Sequence, residues 1–160
     1  MSPRAPGVVV RCPWPKPTNP LYVHYHDTEW GVPEHDGRAL FEKLLLDGAQ
    51  AGLSWETILN KRENYRRAFD GFDPGKIARY GARKTASLLA DAGIVRNRQK
   101  VAAFIGNARV YLELVEVEGD FGRWLWGFVD GAPIQNRWES LGQIPPRTPV
   151  SDALAKELKR

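Results

Sequence analysis

One stretch of the chain decides the predicted fold, Leu88-Leu89-Ala-Asp-Ala-Gly93-Ile94-Val95-Arg96-Asn-Arg98-Gln-Lys100-Val101. It begins as an apolar helix, is interrupted at its Asp-Ala-Gly segment, and resumes as a helix at about Arg98 with three cations near the start. Such a hairpin presents backbone N–H groups together with Arg and Lys side chains, which suits binding to phosphates without reading bases. The alternative is a helix–helix turn whose cations are merely solvated, and the stretch taken alone favours that alternative.

Further helices are predicted on both sides of this turn. Capping residues and apolar spacing place them at about 37–47 behind Asp36, from Ser54 to near Phe69, from Asp73-Pro74 through Ile77, at about 83–90, over Phe121–Phe128, and over Ala153–Arg160 behind Ser151-Asp152. The most regular helix begins at about Arg98 and carries on one face Val101, Ile105, Ala108, Leu112 and Val115. The sequence shows no convincing alternating strand pattern, so the predicted class is all-α.

Length and proline content predict one domain preceded by an irregular arm. A chain of 160 residues suits a single core, so residues 1–160 are expected to form one domain without repeats. Residues 1–20 contain Pro3, Pro6, Pro13, Pro15, Pro17 and Pro20. Because proline lacks a backbone N–H and fixes φ, this stretch is expected to be extended or irregular.

The composition predicts a soluble, cytoplasmic protein. Hydrophobic residues make up 42% of the chain and charged residues 26%, which is ordinary globular usage and argues against disorder. No apolar run approaches the roughly 18–20 residues that a membrane span requires. Cys12 is the only cysteine, so an intramolecular disulfide is impossible and a reducing compartment fits.

Charge and aromatic content point to a polyanionic partner and a planar ligand. The net charge is +4 and the isoelectric point is near 9.3, and cations gain affinity by releasing the counterions of a phosphate backbone. Six tryptophans exceed what the core of one small domain usually needs. Indole and phenol rings supply flat stacking surface with a polar handle.

Aromatic and acidic residues alternate in one region of the sequence. The aromatic residues are Tyr22, Tyr25, Trp30 and Trp55, and the acidic residues are Asp27, Glu29 and Asp47. An aromatic pocket with a carboxylate at its edge suits a planar cation, because ring quadrupoles attract positive charge. An aromatic-rich core with solvated acids fits the same order of residues, and sequence order alone does not separate the two.

Cys12 and His26 are the candidate metal ligands. Zinc accepts cysteine sulfur and histidine nitrogen, and His24 lies close enough to His26 to compete with it. Two ligands do not make a structural site, and a lone cysteine in an arm is usually a small buried hydrophobe. On spacing alone, the favoured interpretation is that Cys12 and His26 do not bind a metal.

A family resemblance selects among these alternatives. From Arg11-Cys12 through Asp152 the chain resembles the DNA-3-methyladenine glycosylase I family. The resemblance rests on the motifs H-D-T-E-W-G-V-P (26–33), A-G-L-S-W (51–55), K-R-E-N-Y-R (61–66), D-A-G-I-V-R (91–96), I-G-N-A-R-V-Y-L (105–112) and S-D-A-L (151–154). These motifs span almost the whole chain and keep their order.

The resemblance implies a helix-hairpin-helix glycosylase fold whose partner is double-stranded alkylated DNA. The hairpin near 91–97, with Gly93, Arg96, Arg98 and Lys100, is expected on the DNA backbone, and the loop at Gly52-Leu53 is expected to enter the duplex where the damaged nucleotide leaves the stack. Tyr25 and Trp55 match residues that hold and stack the base, and Asp47 matches the base-recognising carboxylate. The surrounding wall is matched by Trp14, Tyr22 and Trp30. A monomer without membrane association is expected.

The implied reaction is hydrolysis of the N-glycosidic bond of 3-methyladenine, leaving an abasic site. Methylation at N3 makes the purine cationic, so it leaves as a neutral base without a strong general acid. The segment after Lys100 reads Val-Ala-Ala-Phe-Ile-Gly-Asn and supplies no acid. The family normally has Glu at the position of Asp47, and the shorter side chain retracts the carboxylate by about 1.5 Å, one C–C bond length.

The resemblance also implies a structural zinc ion. Cys12 and His26 match two of its four ligands, and the other two belong to a C-terminal segment for which this sequence shows no counterpart. Without that segment, half-coordinated zinc, an exposed apolar surface and reduced stability are expected. An alternative function follows, a DNA-binding relative that grips phosphates through Arg96, Arg98 and Lys100 without excising a base.

Overall fold

A computed structural model describes residues 11–159. All regular secondary structure in these residues is helical, and no strand is found among them. The helices are α1 (Pro20–Thr28), α2 (Gly37–Gln50), α3 (Trp55–Ala68), α4 (Pro74–Ile77), α5 (Ala82–Ala90), α6 (Arg98–Glu118), α7 (Phe121–Trp126) and α8 (Pro149–Glu157). The all-α prediction is confirmed.

Local capping explains why most helices begin where the sequence predicts. Asp36, Ser54 and Asp73 accept backbone hydrogen bonds at the starts of α2, α3 and α4, as short polar side chains do at helix N-termini. Asn97 caps α6 in the same way. These four starts agree with the predicted ones.

Two boundaries differ from the prediction. The helix α1 was not predicted, although Asn19 caps it and Pro20 occupies its first position, a combination typical of helix starts. The last helix begins at Pro149, because Thr148 caps it and Ser151 completes a capping box from inside the first turn. Ser151-Asp152 is therefore not the cap. Residues 1–10 of the predicted arm and Arg160 lie outside the described residues.

The core lies between α2, α3 and the first half of α6. Its largest buried side chains include Phe41, Tyr65 and Phe69, and Phe104 of α6 packs against Phe69 with ring centroids 4.7 Å apart. The predicted apolar face of α6 is buried at Val101, Ile105 and Ala108, whereas Leu112 is exposed. That face therefore anchors only the N-terminal half of the helix.

The connection between α5 and α6 is held by polar side chains of α3. Lys61 Nζ donates to the Ala92 carbonyl over 3.1 Å, Asn64 Nδ2 donates to the Gly93 carbonyl over 3.1 Å, and the Tyr65 hydroxyl accepts from Val95 N–H over 3.1 Å. A Cβ on Gly93 would lie 3.2 Å from Asn64 Cβ and 2.9 Å from an Asp91 oxygen. Glycine therefore lets this hairpin, residues 91–97, pack closely on α3.

Two surface features complete the description. No helix in residues 11–159 is long and apolar enough to cross a membrane. Residues 131–149 are exposed throughout, and they include the half-exposed large hydrophobics Ile134, Trp138, Leu141 and Ile144.

Candidate functional site

Two aromatic side chains from different helices meet at the centre of the site. Tyr25 of α1 is buried, and its ring centroid lies 5.4 Å from that of Trp55 at the start of α3. The Ser54 cap fixes where α3 begins and so fixes Trp55 against Tyr25. We call Tyr25 and Trp55 the aromatic pair.

The aromatic pair lines a cavity of about 810 Å³. Its wall combines apolar groups with charged groups from α2, from α3 and from the residue that follows α1. Among its lining residues are Trp30, Leu46, Phe128, Leu154, Glu29, Lys43 and Arg62. Sites for small ligands are commonly concave and mostly apolar with a few polar groups. A cavity of this volume accommodates a purine with room to spare.

The two residues of the aromatic pair each carry a polar atom at the site. Burial raises the pKa of Tyr25, and the nearby Asp47 carboxylate raises it further. The Tyr25 hydroxyl therefore stays protonated at neutral pH and can donate a hydrogen bond. Trp55 Nε1 is buried without a hydrogen-bond partner among residues 11–159, which leaves a donor unsatisfied within this part of the chain.

Asp47 lies beside the aromatic pair but outside the cavity wall. Its side chain is half-exposed and forms an ion pair with Lys43, one helical turn earlier on α2. The Lys43 ammonium also lies 4.4 Å from the centroid of the Trp55 ring. The predicted pocket-edge carboxylate is thus close to Tyr25 and Trp55, yet it is joined to a cation that the sequence reading did not single out.

The predicted surrounding wall is only partly in the cavity. Trp14 contacts Tyr22 and Trp30 with ring centroids 5.2 and 5.3 Å apart. It also lies 6.5 Å from the Tyr25 ring. Trp30 lines the cavity, whereas Trp14 and Tyr22 do not. The latter two support the site from behind the aromatic pair.

Two ion pairs at the cavity were not predicted. Arg62 donates to Glu29 over 2.6 Å, and Arg66 lies 2.7 Å from Glu42. The hydrogen bond from Arg62 lowers the pKa of Glu29. These pairs join residues far apart in sequence, so no local spacing reveals them. The i,i+4 spacing of Lys43 and Asp47 on one helix was a usable signal.

The loop between α2 and α3 carries the predicted wedge. Gly52 has φ +77°, which favours glycine, and the Leu53 side chain is 41% exposed. Lys100 Nζ donates to the carbonyls of Ala49 and Ala51 over 2.5 and 2.6 Å. The Lys100 ammonium thus bonds to the end of α2 in the structure, and its predicted contact with DNA phosphate stays a prediction.

Arg96 and Arg98 remain on the hairpin surface. Both side chains are exposed, and neither has a hydrogen-bond or ion-pair partner among residues 11–159. Gly93 lies between them and α3 at the closest approach of the hairpin. The two arginines therefore differ from Lys100, which bonds to the carbonyls at the end of α2.

The two candidate zinc ligands lie close together, but they are not a complete set of ligands. Cys12 N–H donates to His26 Nε2 over 3.3 Å, while His26 Nδ1 lies 2.9 Å from an Asp27 oxygen. Hydrogen bonding from Arg11, and then from His26, lowers the pKa of Asp27 to about 2. Within residues 11–159 no group of three potential ligands is found, so these residues do not form a complete zinc site.

Comparison with known proteins adds three findings. The family model for methyladenine glycosylase matches residues 14–160. DNA-3-methyladenine glycosylase 1 of Escherichia coli strain K12 is 49% identical over 150 residues, covering 94% of this chain and 80% of that protein. A crystal structure of 3-methyladenine DNA glycosylase I superposes with a TM-score of 0.90 at 51% identity, covering 94% of this chain and 82% of the other.

A second solved structure contains the base itself. It is a tyrosine-to-phenylalanine variant of 3-methyladenine DNA glycosylase I in complex with 3-methyladenine, with a TM-score of 0.85 and 37% identity over 88% of this chain and 76% of the other.

Proposed function

Because this chain belongs to the methyladenine glycosylase family, we propose that it removes 3-methyladenine from DNA by hydrolysing the N-glycosidic bond. It is a glycosylase, and its substrate is DNA. The observation that carries the assignment to this site is the meeting of Tyr25 and Trp55 at one cavity, with the Asp47 carboxylate close enough to raise the pKa of Tyr25. Alkylated duplex is the proposed form of the substrate.

In this reaction the main task of the protein is to select the methylated base. The bond between N9 of the base and C1′ of the sugar breaks, its electron pair goes to the base, and water supplies a hydroxyl group to C1′ while releasing a proton. N3-methylation makes the base cationic before cleavage, so it departs neutral and needs no strong acid. Consistent with this, α6 buries Val101, Phe104 and Ile105 where a catalytic acid would have to follow the hairpin.

The proposed roles follow from the side-chain positions. Trp55 offers a face on which a flipped base can stack, an interaction worth about 1–3 kcal/mol per base. Tyr25 supplies a protonated hydroxyl as a hydrogen-bond donor. Asp47 supplies negative charge near the rings, which favours a cationic purine over an uncharged one.

Access to the cavity requires the nucleotide to leave the helix. Flipping costs a few kcal/mol and costs least for a damaged base. The exposed Leu53 at the tip of the α2–α3 loop is the proposed wedge, because an apolar side chain inserted between base steps offsets unstacking. Trp55 follows this loop directly, so the proposed wedge and the stacking ring are only two residues apart.

The hairpin is the proposed phosphate contact, through Arg96 and Arg98. Arg98→Ala should lower the slope of log Kd against log salt for duplex binding by about one unit, because one phosphate contact is lost. Titrations of an unmodified duplex at several salt concentrations measure this slope. Arg83→Ala, an exposed arginine on α5, is the control and should leave it unchanged. Equal slopes for Arg98→Ala and the wild type would remove Arg98 from the DNA surface.

The function is tested by release of 3-methyladenine from a methylated duplex. The wild-type chain should release the base, and Asp47→Asn should slow release by about tenfold to a hundredfold, the loss of one charge-assisted hydrogen bond. Asp47→Glu should retain activity, and Asp130→Asn is the control for removing an exposed acid elsewhere.

A different result would favour the alternative function. If neither the wild type nor Asp47→Glu releases base, while both bind duplex in a salt-sensitive manner, the chain is a DNA-binding relative without excision. Cytoplasmic location and a monomeric state stay predictions. Zinc binding through Cys12 and His26 also stays a prediction, and no step of the proposed mechanism depends on it.

A further inference from the structure

We propose that Lys43 is an internal competitor for the cationic base: its ammonium occupies, in the free protein, the position over Trp55 and beside Asp47 that a methylated purine takes on binding. This inference rests on the proposed function, because it assumes that the base stacks on Trp55. It adds a specificity-determining residue that the family resemblance did not indicate.

The geometry gives Lys43 both of the contacts proposed for the base. Its Nζ lies 4.4 Å from the centroid of the Trp55 ring, within the range of a cation–π contact. The same ammonium is hydrogen-bonded to an Asp47 oxygen. One cation thus bridges the stacking face and the carboxylate, which is the arrangement expected for a bound planar cation.

Two of the other acidic groups at the cavity are paired with arginines, and a third, the exposed Glu34, accepts a hydrogen bond from Asp36 N–H. Glu29 is matched by Arg62, and Glu42 is matched by Arg66. Asp47 is therefore the acidic group whose partner can be exchanged without exposing a buried charge. Lys43 itself is half-exposed, so its flexible side chain can move into water when another cation arrives.

Competition has different consequences for charged and neutral bases. A cationic base must displace Lys43 from both Trp55 and Asp47, whereas a neutral base gains little from Asp47 and displaces Lys43 from Trp55 alone. Once the glycosidic bond breaks, the base loses its charge while Lys43 keeps its own. The ammonium can then return to Asp47, which favours departure of the product.

The test compares two small probes and two lysine variants. The cationic probe is 3,9-dimethyladeninium, whose charge is fixed, and the neutral probe is 9-methyladenine; in both, the 9-methyl group stands for the sugar carbon. Lys43→Met should bind the cationic probe about tenfold more tightly than the wild type, from the loss of one partly exposed ion pair and one cation–π contact. The neutral probe should gain less than about threefold. Lys43→Arg retains the charge and should bind both probes like the wild type.

A second lysine supplies a matched control. Lys84 lies 5.0 Å over the Tyr80 ring and 3.6 Å from Asp70, so it repeats the same grouping away from the cavity. Lys84→Met should bind both probes like the wild type. Methionine is a good helix former, so both Met variants should fold.

A direct readout is the NMR shift of the Lys43 ε-methylene protons. The ring current of Trp55 should move them upfield in the free protein, and saturation with 3,9-dimethyladeninium should abolish that shift. If methylated duplex is cleaved but Lys43→Met binds the cationic probe no more tightly than the wild type, the inference is wrong and the proposed function stands. If duplex is not cleaved and no variant binds either probe, both are wrong.

Discussion

Trp55→Ala is expected to weaken the binding of free 3-methyladenine by about tenfold to a hundredfold, the equivalent of about 1–3 kcal/mol of stacking on one ring. The loss should be greater for base release from duplex. The vacated volume joins an already large cavity, so no neighbouring ring replaces the lost face. Tyr25 also loses its ring contact with Trp55, so the bound base is no longer held in a fixed position.

Two further variants separate stacking from other effects of the indole. Trp55→Phe keeps a flat ring and removes the buried, unpaired Nε1 donor, so it should retain most of the affinity. Trp138→Ala removes a half-exposed indole outside the cavity and should leave the affinity unchanged. Titration calorimetry with free 3-methyladenine measures all three. Wild-type affinity in Trp55→Ala would remove this residue from the site.

The helical class and most helix starts could be predicted because local forces determine them. Asp36, Ser54, Asp73 and Asn97 each bond to a backbone N–H within three residues, so the signal is contained in a short window. The same reasoning failed at α1 because six prolines suggested an unbroken irregular arm. The Asn-Pro pair that opens α1 was therefore read as part of the arm.

The site was predictable in its aromatic residues and less so in its charges. Tyr25, Trp30 and Trp55 were named from the sequence and its family resemblance, and the structure brings all three to one cavity. The partners of the charged residues depend on tertiary packing. Glu29 follows α1 whereas Arg62 lies on α3, and Lys100 reaches the end of α2. A sequence window cannot contain such pairs, so the bonds from Lys100 to the end of α2 were not predicted.

Lys100→Met should therefore act through the loop rather than through phosphate. Its ammonium joins the first turn of α6 to the carbonyls of Ala49 and Ala51, where the orphan carbonyls of a helix C-terminus need donors. Leaving a partly buried carbonyl unsatisfied costs about 1–3 kcal/mol. The loop bearing Leu53 then loses its position relative to the hairpin. Release of 3-methyladenine from duplex should fall by at least about tenfold, since small misplacements near a reacting group are costly.

The pattern of effects distinguishes a positioning lysine from a phosphate-binding one. A positioning role predicts a lower melting temperature and an unchanged salt slope for duplex binding. It also predicts that free 3-methyladenine binds within about threefold of the wild type, because the aromatic pair is retained. A phosphate contact predicts the reverse, a slope lower by about one unit with unaltered stability. Arg98→Met, on the same turn of α6 but exposed and unpaired, supplies the comparison, and its effects should be confined to the salt slope. If Lys100→Met behaves like Arg98→Met, the bonds from Lys100 to the end of α2 do not affect base release, and Lys100 acts as a phosphate contact.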